Sequence, residues 1–149
     1  MALQGNIIAG ENELMNWDVF LQTQAAVGEH FVRLLGYFRE DGPKSVAAIE
    51  LALQQKSSGP IVLPAHTLKG EAAQFGAEKL SLLAEEIEVA ARHYVEIQQD
   101  PAELVEQIAQ LRPLFEASLA AIDEQISPLV KREPASLTPN IVGFGRRSV

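Results

Sequence analysis

The chain has 149 residues, and its 20 acidic and 12 basic side chains give a formal net charge of −8. Its length and its 47% of hydrophobic residues predict one folded domain rather than a disordered chain. The absence of cysteine excludes a disulfide scaffold, a thiolate zinc site and a cysteine nucleophile, and the acidic balance argues against a nucleic-acid-binding surface that covers the whole domain.

The start of the chain lacks the features of a secretory leader, because the first basic residue is Arg33 and the early apolar stretch at 6–10 is short. No window approaches the roughly 18 uninterrupted apolar residues of a membrane span. These patterns predict a soluble protein that acts in the cytoplasm and inserts into no membrane.

Helical periodicity dominates from residue 13 onward, and no convincing alternating strand pattern is present. Residues 1–12 lack that periodicity and are expected to form a flexible lead-in. Apolar residues recur at three- and four-residue steps in five segments: 13–25, 29–55, 60–75, 77–98 and a last one from the Asp100-Pro101 start signal to about 126. Gly42-Pro43 is expected to kink or split the second segment, Pro113 to bend the last one, and Pro128 to end it.

Two turns carry start signals for the helices that follow them. The turn Ser57-Ser58-Gly59-Pro60 offers a serine that can cap the third helix. Asp100 and Glu103 form a capping-box-like arrangement at the start of the last helix.

Four long amphipathic helices joined by short turns bury their apolar stripes most economically in an antiparallel, up-down-up-down four-helix bundle. The short first helix is expected to cover one end of that bundle. The predicted organisation is therefore a flexible N-terminus at 1–12, an all-α bundle domain at 13–126 and a flexible basic tail at 127–149. The tail carries a net charge of +3 beside a body of −11, so it is expected to be a loose solubilising end, or to contact the acidic body or an acidic partner.

The third helix carries the histidine that stands out from an ordinary core pattern. With a rotation of about 100° per residue, the face opposite His66 gathers a core stripe of Ile61, Leu68, Ala72 and Phe75. The face of His66 itself also holds Val62, Lys69, Gly70 and Ala73. His66 is therefore expected to point outward, with a cation one turn along the helix and a glycine beside it.

Gly70 is an unusual residue for the middle of a helix, where glycine costs about 1 kcal/mol relative to alanine. A bare backbone beside an outward imidazole lets another protein approach closely, and Lys69 can reach an anion held on the ring. This combination indicates a docking site for a partner that delivers a phosphoryl group. The alternatives are that His66 is an ordinary surface residue and that Gly70 marks a close contact between helices.

A family resemblance rests on this same segment. The motif consists of Ala65-His66-Thr67-Leu68-Lys69-Gly70, followed by Gly76-Ala77 and then Leu80. It resembles the signature of the histidine-containing phosphotransfer (HPt) domain, and the similarity extends from about Trp17 to about Asp123. The resemblance implies a four-helix bundle that shuttles a phosphoryl group between receiver domains in a phosphorelay of two-component signal transduction.

The resemblance also implies roles for individual residues. His66 is the phosphorylated residue, and Lys69 offsets the charge of the transferred phosphoryl group. Gly70 leaves room for the receiver. Glu88 stands where the family often has a glutamine or glutamate that hydrogen-bonds the other imidazole nitrogen and fixes its tautomer.

The partners implied by the resemblance are receiver domains of response regulators and of hybrid histidine kinases, which are expected to dock on Val62, Gly70 and Ala73. The divalent metal of such a transfer belongs to the receiver, so the chain is expected to have no metal site and no cofactor. A Gly-x-x-x-x-Gly-Lys loop is absent, which argues against ATP-dependent kinase activity. The expected molecule is a monomeric phosphoryl carrier that binds neither nucleic acid nor membrane.

Two positions near His66 depart from the family pattern. Glu71 replaces the serine or alanine that the family prefers, and it is expected to bend outward or to pair locally while adding negative charge near the site. Pro64 lies two residues before His66 and is expected to shorten or kink the start of the helix.

Two other functions remain open at this point. A non-transferring HPt-like scaffold or inhibitor would bind a receiver or a histidine kinase without transfer, and the presence of both His66 and Lys69 argues against it. An unrelated helical adaptor is the third possibility. His30 and His93 lack a nearby glycine–lysine pair and are interpreted as ordinary surface or boundary histidines.

Overall fold

The computed structural model of the protein describes residues 13–137, with side chains over 13–126. Every regular element in that range is helical: α1 (Trp17–Val27), α2 (Phe31–Gln54), α3 (Gly59–Gln74), α4 (Glu78–Glu96) and α5 (Val105–Leu137), with short 3₁₀ turns at Gly28–His30 and Ala102–Leu104. The predicted lead-in at 1–12 and residues 138–149 of the predicted tail lie outside the described range. The chain divides into two units, residues 1–118 and 119–149, and the described part of the second is the continuation of α5.

Helices α2 to α5 form the predicted four-helix bundle, and α1 is the predicted additional short helix. The side chains that point inward recur at helical spacing, which confirms the amphipathic stripes. In the first unit the large residues with under 2% exposure are Phe20, Phe38, Val46, Ile49, Ile61, Leu68, Phe75, Leu80, Ile87, Ile108 and Leu111. The core therefore draws on every helix, including α1.

Aromatic rings connect four of the helices through this core. Successive ring centroids are 5.2 to 5.7 Å apart along the series Trp17, Phe20, Phe31, Phe75, Phe38 and Phe115. Most of these pairs meet edge to face, the arrangement that the ring quadrupole favours. The series ties α1, α2, the end of α3 and α5 to one another.

Helix α2 continues through Gly42 and Pro43 without a break, so the prediction of a split at this dipeptide is wrong. Proline fixes φ near the helical value, and a helix can continue past it at the cost of one backbone hydrogen bond. Gly42 is buried because the Phe115 ring of α5 occupies the space that a Cβ would need. The glycine thus serves helix packing.

Gly42→Ala is expected to destabilise the protein by about 1 to 3 kcal/mol, because the new methyl group overlaps the Phe115 ring in a packed core. Chemical denaturation followed by circular dichroism measures this loss. Gly36→Ala is the matched control, since Gly36 lies in the same helix with open space around its Cβ position. A Gly42→Ala protein as stable as the Gly36→Ala protein would contradict the packing argument.

The start of α3 is held by a contact that the sequence did not indicate. Ser58 makes no side-chain cap, which corrects the predicted serine N-cap. Its Oγ instead donates to the Gln99 carbonyl oxygen at 2.7 Å and ties the α2–α3 turn to the end of α4. The helix begins at Gly59, before Pro64, so the predicted shortening at that proline is wrong.

The end of α3 is held by α1. Gly76 follows the helix with a φ of 75°, a region that favours glycine, and the Asn16 carbonyl oxygen occupies the place where a Cβ would lie. The Asn16 amide donates to the Gly76 carbonyl oxygen at 2.7 Å, and Thr23 Oγ1 donates to the Gln74 carbonyl oxygen at 2.6 Å. Helix α1 therefore covers the end of the bundle that holds the α3–α4 turn; the prediction specified only that it covers one end.

The boundaries of α5 differ from the prediction at both ends. Asp100 Oδ1 accepts from the Ala102 amide at 2.9 Å, which starts a 3₁₀ turn before α5; Glu103 contacts the Tyr94 hydroxyl instead of completing a capping box. The helix continues to Leu137, so the prediction that it ends before Pro128 is wrong. A proline lowers helix stability without forbidding a helical φ, and α2 and α3 tolerate interior prolines in the same way.

Candidate functional site

His66 lies on the outward face of α3, as the helical rotation predicts. The opposite stripe of Ile61, Leu68, Ala72 and Phe75 is at most 1% exposed. The His66 side chain is 54% exposed. The imidazole is therefore held on a helix whose position is fixed by the core, while part of the ring remains open to solvent.

Glu88 of α4 contacts the His66 imidazole from the buried side of the ring. Core residues on both sides, among them Ile87 and Ala91, turn this part of α4 inward, so that Glu88 is only 4% exposed. Its Oε2 lies 2.9 Å from His66 Nδ1. A carboxylate can only accept, so Nδ1 carries the proton of this hydrogen bond and Nε2 of the neutral ring keeps its lone pair.

Two cations hold the Glu88 carboxylate in its ionised form. Lys69 Nζ lies 3.0 Å from Oε1, and Arg92 approaches Oε2 with Nε at 3.1 Å and a terminal nitrogen at 2.8 Å. Burial raises the Glu88 pKa, but the hydrogen bonds from Arg92, Lys69 and His66 outweigh burial and lower the pKa to about 2. One anion thus connects the imidazole with two positive charges.

Arg92 is the site residue that the sequence analysis missed. The periodicity of α3 places only Lys69 beside His66, because Arg92 lies on another helix. The available signal was the spacing of Glu88 and Arg92, which stand four residues apart on α4 and therefore share a helix face. The Arg92 side chain is 57% exposed, so its guanidinium can also meet an anion that arrives from solvent.

The other predicted docking residues lie on the face of His66. Gly70 and Ala73 are exposed and Val62 is half-buried. A Cβ placed on Gly70 would meet no atom within 4 Å, so no neighbouring helix requires a glycine there. The structure therefore excludes a helix–helix contact at Gly70 within the described residues.

Two further residues, Leu63 and Ser81, lie beside this face. Leu63, which the sequence analysis did not single out, is 70% exposed one turn before His66. Ser81 Oγ of α4 donates to the Lys69 carbonyl oxygen at 3.0 Å and ties the two helices together beside the site. Leu63 thus extends the apolar part of the exposed surface, and Ser81 fixes the spacing of α3 and α4.

The remaining histidines have other surroundings. His30 Nδ1 lies 3.3 Å from an Arg33 terminal nitrogen, and the His93 ring lies beside Tyr94 with centroids 6.1 Å apart. Both side chains are exposed. Neither has the combination of a buried carboxylate and two cations that surrounds His66.

Glu71 is half-buried on α3, in the neighbourhood of Asp41 of α2. The expected outward bend or local pairing of its carboxyl group stays a prediction. Burial first, and then the Asp41 charge and hydrogen bond, raise the Glu71 pKa to about 7. Its negative charge beside His66 is therefore reduced near neutral pH.

Within the described part of the chain, no group of three or more acidic or histidine side chains could hold a metal ion. None of the described helices is long and apolar enough to cross a membrane.

Comparisons with known proteins agree with the fold. The family model of the Hpt domain matches residues 33–125, which is more than half of the chain. The chain is also similar to the crystal structure of the HPT domain from an Hpt sensor hybrid histidine kinase of Shewanella, with a TM-score of 0.62 and 22% identity over 77% of this chain and 95% of that one. No curated protein matches. At that identity the solved structure establishes the shared fold, and the family match extends across α2, α3, α4 and most of the described α5: the chain belongs to the Hpt domain family.

Proposed function

We propose that the protein accepts a phosphoryl group on His66 Nε2 from the aspartyl phosphate of a receiver domain and passes it to another receiver. Membership of the Hpt family supports a general role in histidine phosphotransfer within phosphorelays. The observation that carries the specific proposal is the 2.9 Å contact between His66 Nδ1 and Glu88, which leaves Nε2 as the free nucleophilic nitrogen.

The surroundings of His66 suit the charge changes of this transfer. The Nε2 lone pair forms the new bond to phosphorus while the bond to the receiver aspartate breaks, and the aspartate leaves as a carboxylate. Because Nδ1 keeps its proton, the phosphorylated ring carries a positive charge, which the Glu88 carboxylate stabilises. Lys69 and Arg92 stand beside the ring to offset the negative phosphoryl oxygens.

The chain supplies a nucleophile and its orientation, while the receiver supplies the acid anhydride and its divalent metal. This division makes the protein a phosphoryl carrier that needs no ATP and no cofactor of its own. Its partners are receiver domains of response regulators and hybrid histidine kinases. A cytoplasmic location and a monomeric state stay predictions.

A non-transferring scaffold or inhibitor is the alternative within the same family. Such a protein would need the docking face but not a free Nε2, a buried orienting carboxylate and two cations. The ion-paired cluster around Glu88 favours transfer over simple docking.

Incubation with a receiver phosphorylated on its aspartate tests the proposal. We expect radioactive phosphate to move to the protein and to be stable in base and labile in acid, as phosphohistidine is. A second, unphosphorylated receiver should then remove the label. A protein that binds the receiver in pull-down experiments but acquires no label would support the scaffold alternative and contradict transfer.

Gly70→Gln is expected to separate docking from folding. The helix should be stabilised by about 0.5 to 1 kcal/mol because glycine is replaced by a helix former, whereas the side chain should hinder the receiver and slow transfer roughly tenfold or more. Thermal unfolding and the initial rate of labelling measure the two effects. Gly36→Gln on α2 is the matched control, because its Cβ position is also open. Unchanged transfer in Gly70→Gln would contradict the steric role.

A further inference from the structure

A groove lies between α1 and the hairpin of α3 and α4, beside the turn that joins those two helices. Its volume is about 230 Å³. The apolar side chains that line it come from three helices: Val19 of α1, Ala73 of α3 and Leu82 of α4. Ala73 is exposed and Leu82 is 52% exposed. Among the described residues, the groove is therefore an apolar surface that stays open to solvent.

Hydrogen bonds fix the walls of this groove. The Asn16 amide at the start of α1 donates to the Gly76 carbonyl oxygen at 2.7 Å, and both residues line the groove. Ser81, which also lines it, donates its Oγ to the Lys69 carbonyl oxygen at 3.0 Å. The groove is therefore preformed, and a partner that binds there has few groups of this chain to order.

The groove is continuous with the face of His66. Ala73 belongs to both, and it stands seven residues after His66 on α3, which is a distance of about 10 Å along the helix. A protein–protein interface of ordinary size covers about 800 Å² of each partner, a patch roughly 30 Å across. A receiver that brings its aspartyl phosphate to His66 therefore also reaches the groove.

Carboxylates stand at one end of the groove. Glu78 lines it directly and, together with Glu13 and Asp18, lines an adjoining depression of about 310 Å³. All three side chains are exposed, and over residues 13–126 none of them forms an ion pair with a basic side chain. An apolar groove with unpaired negative charges at its end complements a surface that carries a basic side chain next to an apolar one.

We propose that this groove is a selectivity surface for receiver domains. An apolar side chain of the receiver enters between Val19, Ala73 and Leu82. A basic side chain of the same receiver lies against Asp18 and Glu78. The inference rests on the proposed transfer function, because that function is what brings a receiver to this face.

The place of α1 in the chain supports a role in selectivity rather than in chemistry. Helix α1 precedes residues 33–125, the part of the chain that the Hpt family model matches. The wall formed by Val19 and the charge of Asp18 therefore lie outside the family match. Features of that kind can distinguish one receiver from another while the cluster around His66 keeps the chemistry that all receivers require.

The test uses the full chain and a panel of purified receiver domains phosphorylated with acetyl phosphate. Initial transfer rates at increasing receiver concentration give a KM and a rate at saturation for each receiver. Leu82→Gln removes an apolar wall of the groove, and Asp18→Asn/Glu78→Gln removes two of its charges. For the receiver with the lowest KM, we expect each variant to raise KM by roughly threefold to tenfold. The rate at saturation should not change, because the groups around His66 are untouched.

Matched controls lie on α5. Val105→Gln replaces another exposed apolar residue, which is 53% exposed. Glu106→Gln/Glu124→Gln removes two exposed carboxylates and so changes the net charge by the same amount as the double variant of the groove. Both controls should keep the wild-type KM. Because the groove selects among receivers, the spread of KM values over the panel should narrow in the groove variants and stay the same in the controls.

An unchanged KM in either groove variant, an equal rise in KM in the α5 controls, or an unchanged spread over the panel would overturn the proposal while leaving transfer to His66 intact. A lower rate at saturation with an unchanged KM would overturn it too. Calorimetry with the unphosphorylated receivers separates this inference from the transfer function, since binding is measured without any label. Affinity that falls in the groove variants of a protein that acquires no label would support the groove and contradict transfer.

Discussion

His66→Gln is expected to reduce labelling by a phosphorylated receiver to background. Glutamine keeps a polar side chain of helix-compatible shape, but its amide nitrogen has no free lone pair with which to attack phosphorus. The substitution should leave the fold intact, because the side chain is 54% exposed and the core stripe of α3 lies on the opposite face. Labelling is measured by phosphate transfer, and folding by thermal unfolding of the same preparation.

His30→Gln and His93→Gln are the matched controls for this loss. Each removes an exposed imidazole from a different helical segment without touching Glu88, and each should be labelled at the wild-type rate. Label retained in His66→Gln, or lost in His93→Gln, would show that another residue is the acceptor.

Glu88→Ala is expected to slow transfer by on the order of tenfold to a hundredfold, by analogy with the loss of a carboxylate that orients a metal-bound histidine. Without the carboxylate, Nδ1 has no acceptor at 2.9 Å, so the ring can rotate and place its proton on either nitrogen. Glu88→Gln should retain more activity, because the amide oxygen can still accept from Nδ1. Glu86→Ala, an exposed position on the same helix, is the control. Equal transfer rates in Glu88→Ala and Glu86→Ala would contradict the orienting role of Glu88.

The Glu88 substitutions also have a signature at acidic pH. Because the folded pKa is about 2 and the ordinary value is 4.5, the ionised carboxylate stabilises the fold fully above pH 4.5, and this stability is lost as the pH falls through 2. The wild type should therefore lose about 3 kcal/mol more than Glu88→Gln over that interval. Urea unfolding at several acidic pH values measures the difference. Parallel curves for the two proteins would mean that the carboxylate is not stabilised by its three partners.

The outward placement of His66 could be predicted because it depends on one helix alone. The period of α3 assigns Leu68 and Ala72 to the core, and His66 then has to face away from it. The bundle itself was predictable for a related reason: several amphipathic helices joined by short turns have few ways to bury their apolar stripes.

Contacts between particular residues of different helices could not be predicted from the periodicity of the sequence. Periodicity states which face of a helix is buried but not which residues of two helices lie at the same height, so the Ser58–Gln99 hydrogen bond was not predicted. The Glu88–His66 contact was expected only through the family resemblance. Arg92 follows from Glu88 once that residue is placed, because the two share one face of α4.

The other incorrect predictions were helix breaks at prolines. The breaks expected at Pro43 and Pro128 assumed that the loss of one backbone hydrogen bond decides where a helix ends. In α2, which is continuous past Pro43, Gly42 packs against Phe115, and tertiary contacts of this kind outweigh a local cost of about 3 kcal/mol.

The four side chains of the proposed phosphoryl site, His66, Lys69, Glu88 and Arg92, lie on the hairpin of α3 and α4. Bringing these side chains together closes only a short loop, so the entropy cost is small. The cluster is therefore favoured to form early during folding. The reactive cluster is therefore a local property of one hairpin. Substitutions in α1, α2 or α5 can accumulate and alter the surface that a partner meets while the chemistry of the hairpin stays the same.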